Sequence, residues 1–238
     1  AFMGDAGLNG GYAEFVVLDE DSAVPVPDGL DLSAAAIAAC AVGTAFHAVS
    51  GVGRVAPADT VLVTGASGGV GLHAVQIARA AGATVIAASS SAHRAAALRE
   101  AGAHYLVLHE RGEDFSAAVR DVARDEGADV AIDTVGTPVF AATRRSLAPG
   151  ARWVMVGQLD GGFVPFNPAQ LFLRGVSMLS STSVTREELR RCLVLLARGA
   201  VRAGVDAVLP LDQAAEAHRR LEAGGVLGRL VLTPAMAA

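Results

Sequence analysis

Short apolar runs alternate with longer stretches of helical periodicity along most of this chain. Val61–Thr64, Thr84–Ala88, Tyr105–Leu108, Val130–Asp133 and Trp153–Val156 read as buried strands. Between them, Val70–Ala81, Ala92–Ala101, Phe115–Asp125 and Thr137–Leu147 repeat apolar residues at helical spacing, and Val176–Ser180 closes the series as a sixth strand. Strands alternating with helices over short connections predict an α/β domain of the doubly wound, Rossmann kind, a parallel sheet wrapped on both faces. Parallel strands would bring the turns at 65–71, 89–94, 134–136 and 157–159 to one carboxyl edge, where ligands bind.

The flanks follow a different pattern. Residues 1–9 read as a loop, Tyr12–Leu18 as a strand and Ala23–Val26 as a shorter one, with Pro25, Pro27 and Asp28-Gly29 marking turns. Ser33 is placed to cap an uncharged helix running to Ser50, interrupted near Gly43 and buried on most sides. After the core come a helix at Arg186–Ala197, a strand at Ala207–Leu211, a helix at Asp212–Ala223 capped by Asp212, and a strand at Gly228–Thr233. These read together with residues 1–35 as a second structural unit.

Composition narrows the classes. The chain has 238 residues, 52% of them hydrophobic, which argues against disorder. Leu32–Gly53 and Thr60–Ala78 lack formal charge, but the first is mostly alanine and the second is broken by glycines, so neither reads as a membrane span. No basic segment followed by an apolar one opens the chain, so no secretory signal is expected. Net charge is −5, and all 19 basic residues are arginines scattered among acids, which gives no basic stripe for nucleic acid. Two cysteines, Cys40 and Cys192, are too few for a disulfide framework and fit a reducing cytoplasm. The chain opens without methionine on residues that resemble the middle of a fold, and it reads as a fragment.

Val61 to Gly71, VLVTGASGGVG, is the stretch on which candidate chemistry centres. A strand, a glycine turn and a helix in that order begin a dinucleotide-binding βαβ unit. Gly68 would let the backbone approach a diphosphate, Gly71 would let helix and strand pack closely, and the helix N-terminus would offer free N–H groups. Ala66 stands where the fingerprint has its first glycine, a mild departure.

GGYAEF, VPDGL, a helix carrying Cys-x-x-x-Thr, ASGGVG, IDTVG, LAPGARWVMVG and a closing GRLVLTP, taken in order, resemble the medium-chain dehydrogenase/reductase superfamily. Alcohol dehydrogenases, quinone oxidoreductases and enoyl reductases, acryloyl-coenzyme A reductases among them, belong to it. The resemblance implies a GroES-like catalytic domain built from both chain ends around a Rossmann domain, with most of the N-terminal catalytic part missing here. The implied division is 1–42 (catalytic remnant and linking helix), 43–183 (Rossmann domain) and 184–238 (C-terminal catalytic part). Carried over residue by residue, Thr44 would meet the cofactor near the nicotinamide ribose. Gly68, Gly69, Val70 and Gly71 would hold the diphosphate, Ser67 would also bind the cofactor, and Thr134, Val135 and Gly136 would line the ribose side. Gly157, Gln158, Leu179 and Ser180 would flank the nicotinamide, and Arg229 would reach back from the final segment. The edge strand Val176–Ser180 would pair with its symmetry mate in a homodimer. No acid or base at the nicotinamide can be named, so the catalytic residues stay open.

The end of the second strand bears on which cofactor is used. NAD enzymes place Asp or Glu there for the ribose 2′-hydroxyl. This chain has Ser89, Ser90 and Ser91, then His93 and Arg94, which suits the 2′-phosphate of NADPH. The alternative for Arg94 is a solvated helix-surface arginine. Cys40 stands between two readings. In zinc-dependent members a cysteine at this spacing ligates catalytic zinc with partners from the absent part; otherwise it is a small buried thiol. One thiolate cannot hold zinc alone. His47 reads as a packed helix residue, Cys192 as core and Trp153 as packing. The implied reaction is NADPH-dependent hydride transfer to a conjugated enone, enoyl thioester or quinone. A zinc alcohol dehydrogenase is the alternative, as is an inactive nucleotide-binding module.

Overall fold

The structure, a computed structural model, describes residues 10–234. The loop expected at residues 1–9 lies outside them. Six strands form one parallel sheet: β1 (Thr60–Thr64), β2 (Thr84–Ser89), β3 (Tyr105–Leu108), β4 (Ala128–Asp133), β5 (Leu147–Met155) and β6 (Ser177–Ser180), in the spatial order β3-β2-β1-β4-β5-β6. The central residues of β1, β2 and β4 are buried because helices cover both faces, which is why these strands read as continuous apolar runs rather than alternating ones. Connecting helices are α3 (Gly69–Ala80), α4 (Ala95–Glu100), α5 (Ser116–Val122) and α6 (Phe140–Ser146), and a short helix, α7 (Ala169–Phe172), precedes β6. The strand order reverses between β1 and β4, so the turns after these two strands face each other at the switch point.

The sheet divides the core in two. On one side Val61, Val63, Val75, Val85, Val130 and Ile132 pack with the uncharged helical stretch before β1. On the other, Leu62, Ile86, Phe140, Leu147 and Trp153 pack together.

That uncharged stretch runs through α1 (Leu32–Ala36), a π-helical turn at Ala38–Gly43, α2 (Thr44–Phe46) and a second π-helical turn at His47–Val52. The cap is Asp31, whose carboxylate accepts from the N–H groups of Ser33 and Ala34, so Ser33 lies inside the first turn. Gly43 keeps helical angles (φ −65, ψ −44) and makes no break.

The N-terminal strands expected at Tyr12–Leu18 and Ala23–Val26 do not form. Among the described residues no neighbouring strand satisfies their backbone, and Phe15 and Val17 are 88% and 95% exposed. At the other end, α8 (Arg186–Ala197) packs on the uncharged stretch through buried Cys192, Leu193 and Leu196. Then β7 (Val205–Pro210), α9 (Ala214–Ala223) and β8 (Arg229–Thr233) make a separate two-stranded parallel sheet. Asp212 does not cap α9; it sits in a 3₁₀ turn, Leu211–Gln213, that leads into the helix. The N-terminal stretch meets α9 where Tyr12 Oη lies 3.4 Å from His218 Nε2.

Among the described residues no helix is long and apolar enough to cross a membrane.

Candidate functional site

The glycine turn is shaped by two close approaches. Gly65 has φ +59, and a Cβ there would fall 2.8 Å from Val135 Cγ2, so the turn after β1 lies against the turn after β4. At Gly71 a Cβ would overlap the Gly65 carbonyl and come within 2.8 Å of Ala66 Cα, which is why α3 can begin directly on the turn. The left-handed residue is Gly65 and not Ala66, so alanine at the fingerprint's first glycine position carries no backbone strain. Ala66 is fully buried and its N–H bonds to the Ala88 carbonyl at 3.1 Å. Gly68 is the N-cap of α3 and offers no side chain, leaving the first-turn amides of a 12-residue helix for an external acceptor.

Next to this turn, β2 ends on buried Ser89. Ser67 Oγ and Ser89 Oγ are 3.1 Å apart, and Arg94 reaches Ser67 Oγ with Nη1 at 3.3 Å. Arg94 Nη2 donates to the Gly224 carbonyl at 2.8 Å, and Nε lies 3.3 Å from His93 Nε2. Arg94 is half-buried, not a freely solvated surface arginine, and among the described residues its hydrogen-bonding partners include no carboxylate. Ser90 is exposed, whereas the Ser91 N–H is tied to Ser89 Oγ at 3.1 Å.

On the β4 side, Asp133 is fully buried and organises the turn. Its Oδ1 accepts from Thr64 Oγ1 (2.7 Å) and from the N–H groups of Val135 (3.1 Å) and Gly136 (3.0 Å). Its Oδ2 accepts from Trp153 Nε1 at 3.2 Å, so the tryptophan is a hydrogen-bond donor as well as packing. Thr134 Oγ1 donates to the Thr64 carbonyl at 2.8 Å. Gly157 and Gln158, exposed after β5, lie beside this turn: the Gly157 N–H bonds to the Asp133 carbonyl at 3.3 Å. Leu179 and Ser180 end β6, in register with Val154 and Met155. Sequence reasoning missed Ser181, the next residue, which is 2% exposed and whose hydroxyl has no hydrogen-bond partner among the described residues.

Arg229 arrives from β8. Its side chain crosses Gly69, where an added Cβ would strike the guanidinium, and the main chain is pinned by a bridge between Gly68 and Gly228. Arg229 Nη2 also lies 3.5 Å from Cys40 Sγ, which brings the linking helical stretch to the start of α3. Cys40 is exposed, which overturns the buried-thiol reading. A cationic neighbour opposes a metal ion at that thiol, and among the described residues no three His, Cys, Asp or Glu side chains cluster as ligands. These residues do not fit a zinc site by themselves. Thr44 is half-buried one helical turn beyond Cys40. His47, half-buried, bonds through Nδ1 to Glu188 Oε1 at 2.9 Å. Burial pushes the Glu188 carboxyl up, but hydrogen bonds from His47 and Thr185 outweigh it and hold the group below its ordinary value.

A parallel sheet with this strand order and a glycine turn at its switch point defines a Rossmann-type protein. The sequence profile of the zinc-binding dehydrogenase family matches residues 69–198. Acryloyl-coenzyme A reductase of Sulfurisphaera tokodaii is 28% identical over 95% of this chain and 66% of its own length. Quinone oxidoreductase of Rattus norvegicus is 31% identical over 94% of this chain and 70% of its own. The solved structure of AibC, 45% identical, superposes with a TM-score of 0.90, covering 95% of this chain and 63% of the other. A mycobacterial protein complexed with NADPH, 31% identical, gives a TM-score of 0.83 over 95% and 72%. The chain belongs to the zinc-binding dehydrogenase family, within the medium-chain dehydrogenase/reductase superfamily. It spans 66% of the length of the acryloyl-coenzyme A reductase and 63% of AibC.

Proposed function

We propose that this chain is the cofactor-binding portion of an NADPH-dependent oxidoreductase that passes hydride to a conjugated enone, an enoyl thioester or a quinone. The observation that carries the cofactor choice is the group Ser67, Ser89 and Arg94 at the end of β2: two hydroxyls and a guanidinium, with no carboxylate among Arg94's partners in the described residues. Arginine can bind a phosphate bidentately, and a 2′-phosphate fits that charge where a ribose hydroxyl would leave it uncompensated. The NADPH-bound neighbour supports the same cofactor, and the acryloyl-coenzyme A reductase and quinone oxidoreductase relatives support the substrate classes.

In this reading the first-turn amides at Gly69, Val70 and Gly71, with Gly68 and Arg229, hold the diphosphate, and Ser67, Ser89, Ser90 and Arg94 take the 2′-phosphate. Thr134, Val135 and Gly136 line the ribose. Thr44, Gly157, Gln158, Leu179 and Ser180 flank the nicotinamide, and the unpartnered hydroxyl of Ser181 joins them from the end of β6. When bound, NADPH supplies the hydride. The chain's own part is to bind, orient and exclude water along the carboxyl edge of the sheet.

Residues 1–42 and 184–238 would belong to the catalytic domain around a Rossmann domain at 43–183, in a cytoplasmic homodimer paired through β6. Sedimentation at micromolar concentration checks the last point, and a monomer counts against it. The cofactor is tested by titrating NADPH and NADH in parallel while following nicotinamide fluorescence. Tighter binding of NADPH is expected, and no response to either dinucleotide removes the reading. Turnover of crotonyl-CoA or a quinone with NADPH separates an active enzyme from an inactive nucleotide-binding module.

A further inference from the structure

His73, in the second turn of α3, closes a ring of contacts that ends on Arg229. Its Nδ1 lies 2.6 Å from the Gly69 carbonyl oxygen, one turn back, and its Nε2 lies 3.0 Å from the main-chain nitrogen of Gly204. A carbonyl can only accept and an amide N–H only donate, so the imidazole carries its proton on Nδ1 and accepts at Nε2. The Gly204 carbonyl in turn accepts the N–H of Arg229 at 2.8 Å. From there the Arg229 side chain returns across Gly69, the residue whose carbonyl holds His73. There is little slack in this ring. A Cβ on Gly204 would come within 3.4 Å of His73 Cε1, and one on Gly228 within 2.9 Å of the Gly204 carbonyl carbon.

The choice of residue is informative. The neighbouring α3 positions that face inward are Leu72, Ala74, Val75 and Ile77, all buried and aliphatic. His73 is 0% exposed, and a position that served packing alone would be filled by an aliphatic side chain without the cost of burying a polar ring. Histidine supplies what Leu or Val lacks, one donor and one acceptor on opposite sides of a rigid plane.

We propose that His73 is a positioning residue: it fixes the 204–229 connection against α3 and so holds the Arg229 guanidinium over the helix N-terminus where a dinucleotide's diphosphate would lie. This rests on reading the crevice as a dinucleotide site. An arginine already held in place loses less rotamer freedom on binding than one that must be captured, and the difference appears as affinity. His73 makes no contact with the ligand itself; its bond to the Gly69 carbonyl is a second route to the diphosphate amides, which the Arg229→Ala background separates from the route through Arg229.

The test is a calorimetric titration of NADP⁺ into the 238-residue chain and five variants: His73→Leu, His73→Asn, His73→Gln, Arg229→Ala and the double variant His73→Leu/Arg229→Ala. Losing the hydrogen bonds that position a charged group is expected to weaken binding by about fivefold to tenfold in His73→Leu. His73→Asn, polar but too short to span to Gly204, should weaken binding similarly even if the leucine variant folds poorly. His73→Gln, which can donate and accept over the longer reach, should return to within about twofold of wild type. In the Arg229→Ala background, His73→Leu should add no further loss. Wild-type affinity in both His73→Leu and His73→Asn overturns the proposal, as does an undiminished His73→Leu effect when Arg229 is absent. If the wild type binds and Arg229→Ala alone weakens it, the dinucleotide reading stands while His73 loses its role. If the wild type does not bind, both fall.

Discussion

The guanidinium of Arg94 donates to the main-chain carbonyl of Gly224 at 2.8 Å, joining residues 130 apart in sequence. With Ser67 on its other side, Arg94 is held between the glycine turn and the C-cap of α9, and among the described residues its charge meets no carboxylate. A phosphate placed there would replace bonds to uncharged acceptors with bidentate bonds between opposite charges, a gain of about 1.5–3 kcal/mol. Arg94→Ala is therefore expected to lower NADP⁺ affinity about tenfold to a hundredfold and to change NAD⁺ affinity by less than about twofold. Calorimetry with both dinucleotides checks this. Equal losses for the two would take the 2′-phosphate away from Arg94.

Asp133 carries a structural prediction. Four donors converge on its fully buried carboxylate, from Thr64, Val135, Gly136 and Trp153. Asp133→Ala would leave all four unpaired in the core and is expected to lower unfolding free energy by about 3 kcal/mol or more. Trp153→Phe keeps most of the packing, removes one donor and should cost about 1 kcal/mol. Urea denaturation of the two variants gives the comparison. Similar small losses for both would show that the carboxylate is not the organising group of this turn.

Much of this architecture was legible because the sheet is parallel and buried on both faces. Val61–Val63, Val85–Ala88 and Val130–Ile132 are apolar throughout, and no other environment suits such short runs between helices. The glycine turn was legible for the same local reason: its conformation depends on residues adjacent in sequence. Ring closures across the chain were not. Asp133 with Trp153, Arg94 with Gly224, and His73 with Gly204 each join side chains to groups that no local pattern marks. The strands expected at Tyr12–Leu18 and Ala23–Val26 failed because local propensity cannot supply the neighbouring strand that a ladder needs. Asp212 failed as a cap because a 3₁₀ turn comes before α9.

Stability should fall on mild acidification, with His73 as one cause. Burial, the largest influence, pushes the His73 imidazole below its ordinary value of 6.5; the Gly69 carbonyl opposes this, the Arg229 charge from β8 adds to it, and the Arg202 backbone opposes it weakly. Below about pH 6.5 the unfolded chain takes up a proton that the native chain refuses, so stability rises with pH and is lost as pH falls. His104, also lowered by burial and by Arg79, contributes in the same direction. Urea midpoints measured from pH 8 to pH 6 should therefore decline in the wild type and decline less steeply in His73→Gln, with the His104 share common to both. Identical slopes would mean that folding leaves the proton affinity of His73 unchanged.

The two thiols differ enough to probe the crevice directly. Burial first, and the Glu188 charge second, push the Cys192 thiol up to about 12, so at neutral pH it offers almost no thiolate and no access. Cys40 is exposed and lies 3.5 Å from the Arg229 guanidinium, the group that crosses Gly69. Treating the native chain with iodoacetamide at pH 7.5 should add one carbamidomethyl group, at Cys40, and mass spectrometry after digestion locates it. NADP⁺ should slow that reaction several-fold, because a diphosphate engaging Arg229 would lie next to the thiol. Arg229→Ala should remove most of this protection while leaving Cys40 reactive. Modification at Cys192 at a comparable rate would contradict the buried placement of α8. Protection that survives Arg229→Ala would mean that the dinucleotide covers Cys40 by another route.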